Sequence, residues 1–159
     1  MPKIDSLPNE LDMNECTCRA IIETPKGSRN KFKYDPKTKM FMLGGLLPEG
    51  MSFPFDFGFI PSTIGGDGDP LDILVLMDAP AHVGCLIEVR LIGLICAEQT
   101  EDGETEENDR LLGVAIHSYS HQKTKSISEL DKSILDQVEM FFVSYNKQRG
   151  KKFKVTGTG

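Results

Sequence analysis

The amino-acid sequence predicts an α+β fold in which one late amphipathic helix packs on a small β-barrel. Two observations support this class. About seven short apolar runs, bounded by Gly, Pro, Asn or Asp, come first and are typical of strands. A single helical pattern with one apolar face follows in the last part of the chain. Strands followed by a helix, rather than alternating with helices, indicate the α+β class.

Composition limits the possible functions. With 159 residues, 39% of them hydrophobic and 26% charged, we expect one globular domain spanning residues 1–159. The net charge of −6 argues against a nucleic-acid partner, because such a partner requires a basic surface. No apolar run approaches the roughly 20 residues of a membrane span, so we expect no membrane partner. The four cysteines form no C-x-x-C pair, which favours reduced thiols and a cytoplasmic location.

Three strands are predicted in the first third of the chain. They follow residues 1–15, which are polar and acidic and which we expect to form a loosely ordered arm. The strands are predicted at residues 19–24, 31–34 and 40–43. Pro25 ends the first of them.

Later apolar runs predict strands at residues 71–76, 84–97 and 111–116, with a bend in the second at Gly93. Between the last two, residues 98–109 carry seven carboxylates and show no apolar periodicity. We therefore expect a solvated acidic loop at 98–109.

The helix is predicted from the spacing of its apolar side chains. These fall at i, i+1, i+4, i+7, i+8 and i+11 and are Ile134, Leu135, Val138, Phe141, Phe142 and Tyr145. Ser128 or Asp131 could cap its first turn, and Gly150 is a plausible end. The basic tail that follows suits the carboxyl end of the helix dipole.

The candidate site is an acidic turn that leads into the strand at 71–76. Asp67, Asp69 and Asp72 fall within six residues, among glycines and a proline. Clustered carboxylates raise one another's pKa unless a positive charge holds them. An oxygen-only ligand set suits a hard divalent cation such as Mg²⁺. An acidic surface turn without a bound ion is the alternative.

These residues resemble a known family. Asp-Gly-Asp-Pro-Leu-Asp followed by Ile-Leu-Val is similar to the signature of the soluble family I inorganic pyrophosphatases. Other segments resemble the family in the same order, so that the likeness runs from about residue 19 to residue 155; they are residues 22–31, 53–61 and 141–145. The resemblance implies an OB-like five-stranded barrel with extra strands, and Mg²⁺-dependent hydrolysis of pyrophosphate to two phosphates. It also implies a homo-oligomer, commonly a hexamer.

The resemblance also implies a metal site. Asp67 and Asp72 would ligate Mg²⁺, and Glu23 would support the site. Asn108 falls where the family has a carboxylate shared between metals. An amide in place of that carboxylate should weaken the binding of the later metals.

The same resemblance implies catalytic and substrate-binding roles. Asp69 would orient or deprotonate the attacking water, and Lys31 would hold a phosphate. Tyr145 would hydrogen-bond the leaving phosphate, Arg110 would replace a family Lys, and Phe57 would lie beside the substrate.

Besides Arg110, six positions depart from the family pattern. They are Lys33 for a Glu, Gly45 for an Arg, Phe53 and Phe57 for two Tyr, Asn108 for an Asp, and Asn146 for a Lys. Two hypotheses remain open at this point. The protein is a pyrophosphatase with reduced activity, or it is a catalytically impaired or altered relative that binds metal and a phosphate compound.

Overall fold

The computed structural model describes residues 4, 7–63 and 69–159. The described part of the chain is mostly strand, with one α-helix, α1 (Lys132–Gln148), preceded by a 3-10 turn at Ile127–Glu129. The strands are β1 (Thr17–Thr24), β2 (Asn30–Asp35), β3 (Met40–Leu46), β4 (Asp56–Ile60), β5 (Leu71–Leu76), β6 (Leu86–Glu101), β7 (Glu104–Glu107), β8 (Arg110–Ala115) and β9 (Lys152–Thr158). The prediction of a mostly-sheet fold with a late helix is confirmed. The chain contains no helix, among the residues described, that is long and apolar enough to cross a membrane.

Five strands form a closed hydrogen-bonded circuit. β1 pairs with β4, β4 with β5, β5 with β8, β8 with β6, and β6 returns to β1. Only the β5–β8 pairing in this circuit is parallel. Closure leaves none of the five strands with a free edge along its paired part.

β6 is long enough to serve two pairings in succession. Its first part pairs with β1 and β8, and its last part pairs with β7 and β9. The register between β6 and β8 shifts between Leu91 and Gly93, at the position where a bend was predicted. A bulge of this kind turns the strand and lets its two parts join different neighbours.

β5 has the bounds that the sequence predicts, and both of its faces are buried from Ile73 to Leu76. Ile73 and Val75 pack in one apolar core, whereas Leu74 and Leu76 pack in another. A strand covered on both sides is a continuous apolar run, and this is why its pattern is clear in the sequence. The second core includes the apolar face of α1, which fixes the helix against the strand circuit.

α1 begins with a side-chain cap. The carboxylate of Asp131 accepts a hydrogen bond from the backbone N–H of Ser133 at 3.0 Å. Of the two predicted caps, Asp131 is therefore correct, whereas Ser128 lies in the preceding 3-10 turn. Gly150 has a φ of +75°, the left-handed conformation that ends many helices.

The expectation of an acidic loop at residues 98–109 is wrong. β6 continues to Glu101 and forms an antiparallel hairpin with β7. The connecting residues Asp102 and Gly103 both have positive φ, as a tight two-residue hairpin turn requires. On the other side of β6, β9 brings basic residues to this acidic segment, and Lys151 Nζ lies 3.3 Å from a carboxylate oxygen of Glu101. β9 itself was read from the sequence only as a basic tail.

The arm predicted at residues 1–15 is described at residues 4 and 7–15. The Asn9 side chain donates to the Arg19 carbonyl at 3.0 Å and accepts from the Arg19 N–H at 2.9 Å. Asp12 and Thr17 form an isolated bridge. These contacts hold this part of the arm beside β1, and the looseness of the arm as a whole stays a prediction.

The β2–β3 hairpin is a separate two-stranded sheet that is tied to the end of β1. The Thr24 hydroxyl donates to the Phe32 carbonyl at 2.9 Å and accepts from the Phe32 N–H at 3.1 Å. One residue earlier, the Glu23 carboxylate accepts from the Tyr34 N–H at 2.8 Å. The hairpin is thereby held over the open end of the strand circuit, where it forms one wall of a cavity.

Gly58 tests whether the β1–β4 pairing depends on close backbone contact. Gly58 is in β4 and lies opposite Ile22 of β1. A Cβ added to Gly58 would overlap the carbonyl oxygen of Ile21. We expect Gly58→Ala to lower the free energy of unfolding by more than about 2 kcal/mol, because two buried strands must separate. Urea unfolding measures this change.

Gly157→Ala is the matched control for Gly58→Ala. Gly157 also lies in a strand, but an added Cβ there meets nothing within 4 Å. This control should change stability by less than about 0.5 kcal/mol. Equal effects of the two substitutions would contradict the close contact.

Candidate active site

A cavity of about 430 Å³ opens between the strand circuit, the β2–β3 hairpin and α1. Seven of the residues predicted for the site line it; they are Glu23, Lys31, Phe57, Asp69, Asp72, Arg110 and Tyr145. These residues come from seven separate elements or connections, so the fold assembles them from distant parts of the chain. Asp67 lies outside the described residues. Asn108 is not among the lining residues, and its side-chain amide donates to the Gln99 side chain.

Carboxylates enter the cavity from β1 and β5. Asp72 lies on β5 opposite Phe59 of β4, and Asp69 precedes β5 and is exposed. Glu23 lies on β1 and is partly buried. The negative charge of Asp72 contributes to a raised Glu23 pKa, so these two carboxylates interact although β1 and β5 are not paired with each other.

The pKa of Glu23 is raised to about 7. Burial is the largest cause, because it disfavours the charged carboxylate, and the nearby charge of Asp72 adds to the effect. The hydrogen bond from the Tyr34 N–H and the charges of Lys33 and Lys31 act in the opposite direction. A cation held between the two carboxylates would favour the ionised form of Glu23 in the same way.

The donor set fits a hard divalent cation in its chemistry, since it consists of carboxylate oxygens without His or Cys. Among the residues that the structure describes, no group of three or more His, Cys, Asp and Glu side chains is placed to hold a metal ion. The acidic turn contributes Asp69 to the cavity, whereas Asp67 falls in the part that is not described.

Lys31 and Tyr145 join the hairpin to the helix. The Lys31 ammonium donates to the Tyr145 hydroxyl at 2.7 Å, although 114 residues separate them. Lys31 Nζ also lies 5.2 Å from the centroid of the Tyr145 ring. This contact places one cation and one phenol together on the cavity wall.

Arg110 supplies a second cation, which lies against Phe142 of α1. Its guanidinium carbon lies 4.0 Å from the centroid of the Phe142 ring and 5.9 Å from that of Phe153. One of its nitrogens donates to the Asn108 carbonyl at 3.3 Å. An Arg can stack on an aromatic face in this way more readily than the Lys it replaces in the family pattern.

An aromatic cluster supports these polar groups. Phe57 packs edge-on against Phe53, with 4.8 Å between ring centroids, and stacks on Phe142 at 5.4 Å. Phe141 stacks on Tyr145 at 5.7 Å, with an angle of 11° between the rings. Phe53 is only 2% exposed. The two Phe that replace family Tyr thus form a firm apolar wall beneath Tyr145 and Arg110.

The other departures fall into two groups. Lys33 lines the cavity, two residues after Lys31 on the same strand. Gly45, which pairs with Lys31 across the hairpin, is not among the lining residues. Asn146 is 2% exposed, and its amide donates to the Phe142 carbonyl at 2.8 Å within α1. Asn146 therefore belongs to the helix and places no group in the cavity.

Sequence reasoning missed one cation near the cavity. Arg149 donates to the Tyr145 hydroxyl at 3.4 Å, and its guanidinium carbon lies 5.2 Å from the ring centroid. The signal was present, since residues four apart face each other on a helix. From the sequence, Arg149 is interpreted only as part of the basic tail at the end of the helix.

Comparisons with known proteins agree over nearly the whole chain. The family model described as inorganic pyrophosphatase matches residues 20–159. The inorganic pyrophosphatase of Thermus thermophilus is 36% identical, over 99% of this chain and 85% of the relative. That of a Synechocystis species is 37% identical, over 86% of this chain and 79% of the relative.

Solved structures show the same likeness. The crystal structure of inorganic pyrophosphatase from Thermus thermophilus superimposes with a TM-score of 0.87 at 34% identity, covering 99% of this chain and 89% of that one. A structure of the Helicobacter pylori inorganic pyrophosphatase superimposes with a TM-score of 0.83 at 30% identity, covering 96% and 88%. The likeness therefore extends to the elements that carry the cavity.

The raised pKa of Glu23 predicts how stability depends on pH in the metal-free protein. Because the folded-state pKa of about 7 exceeds the ordinary value of 4.5, the fold favours the protonated carboxyl. Its contribution to stability is full below pH 4.5 and is lost as the pH rises towards 7. Glu23→Gln resembles the protonated form and should avoid that loss.

We expect the unfolding free energy of Glu23→Gln, relative to that of the unsubstituted protein, to rise by up to about 3 kcal/mol between pH 4.5 and pH 8. Urea unfolding in the presence of a chelator measures the difference. Glu139→Gln, at an exposed position on α1, is the control and should show no such gain. Parallel pH profiles for Glu23→Gln and the unsubstituted protein would contradict the assigned pKa.

Proposed function

This chain belongs to the inorganic pyrophosphatase family, and from that premise we propose that its cavity hydrolyses inorganic pyrophosphate to two phosphates. The observation that carries the proposal is the assembly of the predicted residues around one cavity. Two of its carboxylates interact with each other, and two of its cations contact aromatic rings. Such a charge distribution suits a metal-bound diphosphate anion.

Members of this family use divalent metal ions, and we propose that Mg²⁺ is the ion here. Asp67 and Asp72 would hold it, with Glu23 supporting the site. When bound, Mg²⁺ lowers the pKa of a water ligand and neutralises phosphoryl oxygens. The carboxylate oxygens that line the cavity support this choice, since Mg²⁺ prefers hard oxygen ligands.

The residues of the chain then orient the substrate and move a proton. We propose that Asp69, which is exposed at the cavity edge, orients and deprotonates the attacking water. Lys31 and Arg110 bind phosphate oxygens, and Tyr145 donates a hydrogen bond to the leaving phosphate. Phe57 keeps one wall apolar. Positioning and charge stabilisation of this kind supply most of the catalysis of phosphoryl transfer.

We propose that activity is lower than the family pattern would give. Gly45 and Asn146 place no cation in the cavity, and each charge-assisted hydrogen bond contributes about 1.5–3 kcal/mol. Two such losses together would slow the reaction by on the order of 10²-fold or more. Lys33 lines the cavity and supplies a cation where the family has an anion.

Three further features remain proposals. The closed five-strand circuit supports the OB-like barrel implied by the resemblance. A homo-oligomer, with the hexamer as its expected form, is supported by exposed apolar side chains on β3, where Met40, Leu43 and Leu46 are 65%, 60% and 61% exposed. A cytoplasmic location is supported by four cysteines that are all free thiols.

Asp69→Asn tests the assignment of the general base. An amide cannot take a proton from water, so we expect kcat for pyrophosphate to fall by about 10²-fold or more. Phosphate release in the presence of Mg²⁺ measures the rate, and the midpoint of thermal unfolding shows whether the fold is kept.

Asp136→Asn is the matched control, because Asp136 is exposed on α1 away from the cavity lining. It should leave kcat unchanged within a factor of about two. If Asp69→Asn keeps more than half of the activity, Asp69 is not the base. Faster phosphate release from a nucleoside triphosphate than from pyrophosphate would favour the altered-specificity hypothesis instead.

A further inference from the structure

Arg149 stands over Tyr145 from outside the cavity. It lies at the carboxyl-terminal cap of α1, is exposed, and is four residues beyond Tyr145. Its guanidinium makes two contacts with that side chain, a 3.4 Å hydrogen bond to the hydroxyl and a cation–π contact of 5.2 Å. Tyr145 itself lines the cavity, so the effect of Arg149 on the site passes through the phenol.

The Tyr145 hydroxyl is held between two cations. Lys31 donates to it at 2.7 Å from the hairpin, and Arg149 donates to it from the helix. Ammonium and guanidinium groups are donors only, so the phenol oxygen must accept in both contacts. Neither contact uses the phenolic hydrogen, which is therefore available to donate to an acceptor in the cavity.

We infer that Arg149 is a positioning residue for pyrophosphate hydrolysis. It fixes the Tyr145 oxygen as an acceptor of two cationic donors and thereby directs the phenolic hydrogen to a phosphate oxygen. It also restores positive charge beside Tyr145, where Asn146 is turned into the helix and bonded to the Phe142 carbonyl. This inference rests on the proposed function.

Structural stabilisation is the competing explanation. An Arg near the end of a helix interacts favourably with the helix dipole and with a side chain four residues before it. Such a role would change stability and would leave the catalytic step alone. The two explanations therefore predict different values of kcat for an Arg149 variant. They also differ in whether the effect of that variant requires the Tyr145 hydroxyl.

The experiment compares four variants with the unsubstituted protein: Arg149→Gln, Lys147→Gln, Tyr145→Phe and the double variant Arg149→Gln/Tyr145→Phe. Lys147 is the matched control, because it is an exposed cation in the same turn of α1. The measurements are kcat and KM for pyrophosphate with Mg²⁺, together with the midpoint of thermal unfolding.

Arg149→Gln should lower kcat about five-fold and change KM less than about two-fold, because the lost hydrogen bond orients a group used in the transition state. Lys147→Gln should change kcat by less than about two-fold, since it removes an equal charge without the contact to Tyr145. In the Tyr145→Phe background, Arg149→Gln should have almost no further effect, because the accepting oxygen is gone.

Two results would overturn the inference: a kcat loss of equal size with and without the Tyr145 hydroxyl, or an Arg149→Gln effect no larger than that of Lys147→Gln. If the unsubstituted protein releases no phosphate, the proposed function fails separately. The same variants are then compared by calorimetric binding of pyrophosphate with Mg²⁺. There, weaker binding by Arg149→Gln that disappears in the Tyr145→Phe background supports the inference, and any other pattern contradicts it.

Discussion

The backbone pairing of β6 with β1 is the constraint on which the rest of the structure depends. It closes the circuit of five strands and fixes β1, β5 and β8 around one open end. Glu23, Asp72 and Arg110 stand on these three strands, so their separation is set by backbone hydrogen bonds rather than by flexible loops. Rigid elements hold charged groups close together at a much smaller entropic cost than loops would. The long β6 strand also carries the acidic hairpin and the final strand outside the circuit.

The site on this framework brings negatively and positively charged side chains together in one cavity. Burial and the neighbouring Asp72 raise the pKa of Glu23, whereas Lys31 and Lys33 lower it. An uncompensated pair of carboxylates in such a place would be protonated in part at neutral pH. A divalent cation would relieve that repulsion, and under the proposed function Lys31 and Arg110 would bind the phosphate oxygens of the substrate. The electrostatics of the cavity are therefore consistent with the divalent metal ions that the family uses.

Where the chain lacks a cation of the family pattern, a neighbouring position supplies positive charge instead. Gly45 brings no charge to the hairpin, but Lys33 on the paired strand lines the cavity. Asn146 stabilises the end of α1, while Arg149 reaches the phenol of Tyr145 from one turn further on. Positive charge is thus kept near the substrate although its geometry has changed. A slower reaction, rather than its complete loss, is what this rearrangement favours.

The sequence by itself determined the elements whose signals are local. The β5 strand has its predicted bounds because both faces are buried and its apolar run is continuous, and α1 follows from its 3.6-residue periodicity and the Asp131 cap. The likeness to the family named seven of the residues that line the cavity. Tertiary structure alone decided the features that depend on partners far along the chain. The acidic end of β6 pairs with β9, which starts about fifty residues later beside Lys151, and no local pattern contains that contact. Whether Lys33 enters the cavity and Asn108 stays out of it was decided in the same way, since side chains on different strands meet only when the circuit is closed.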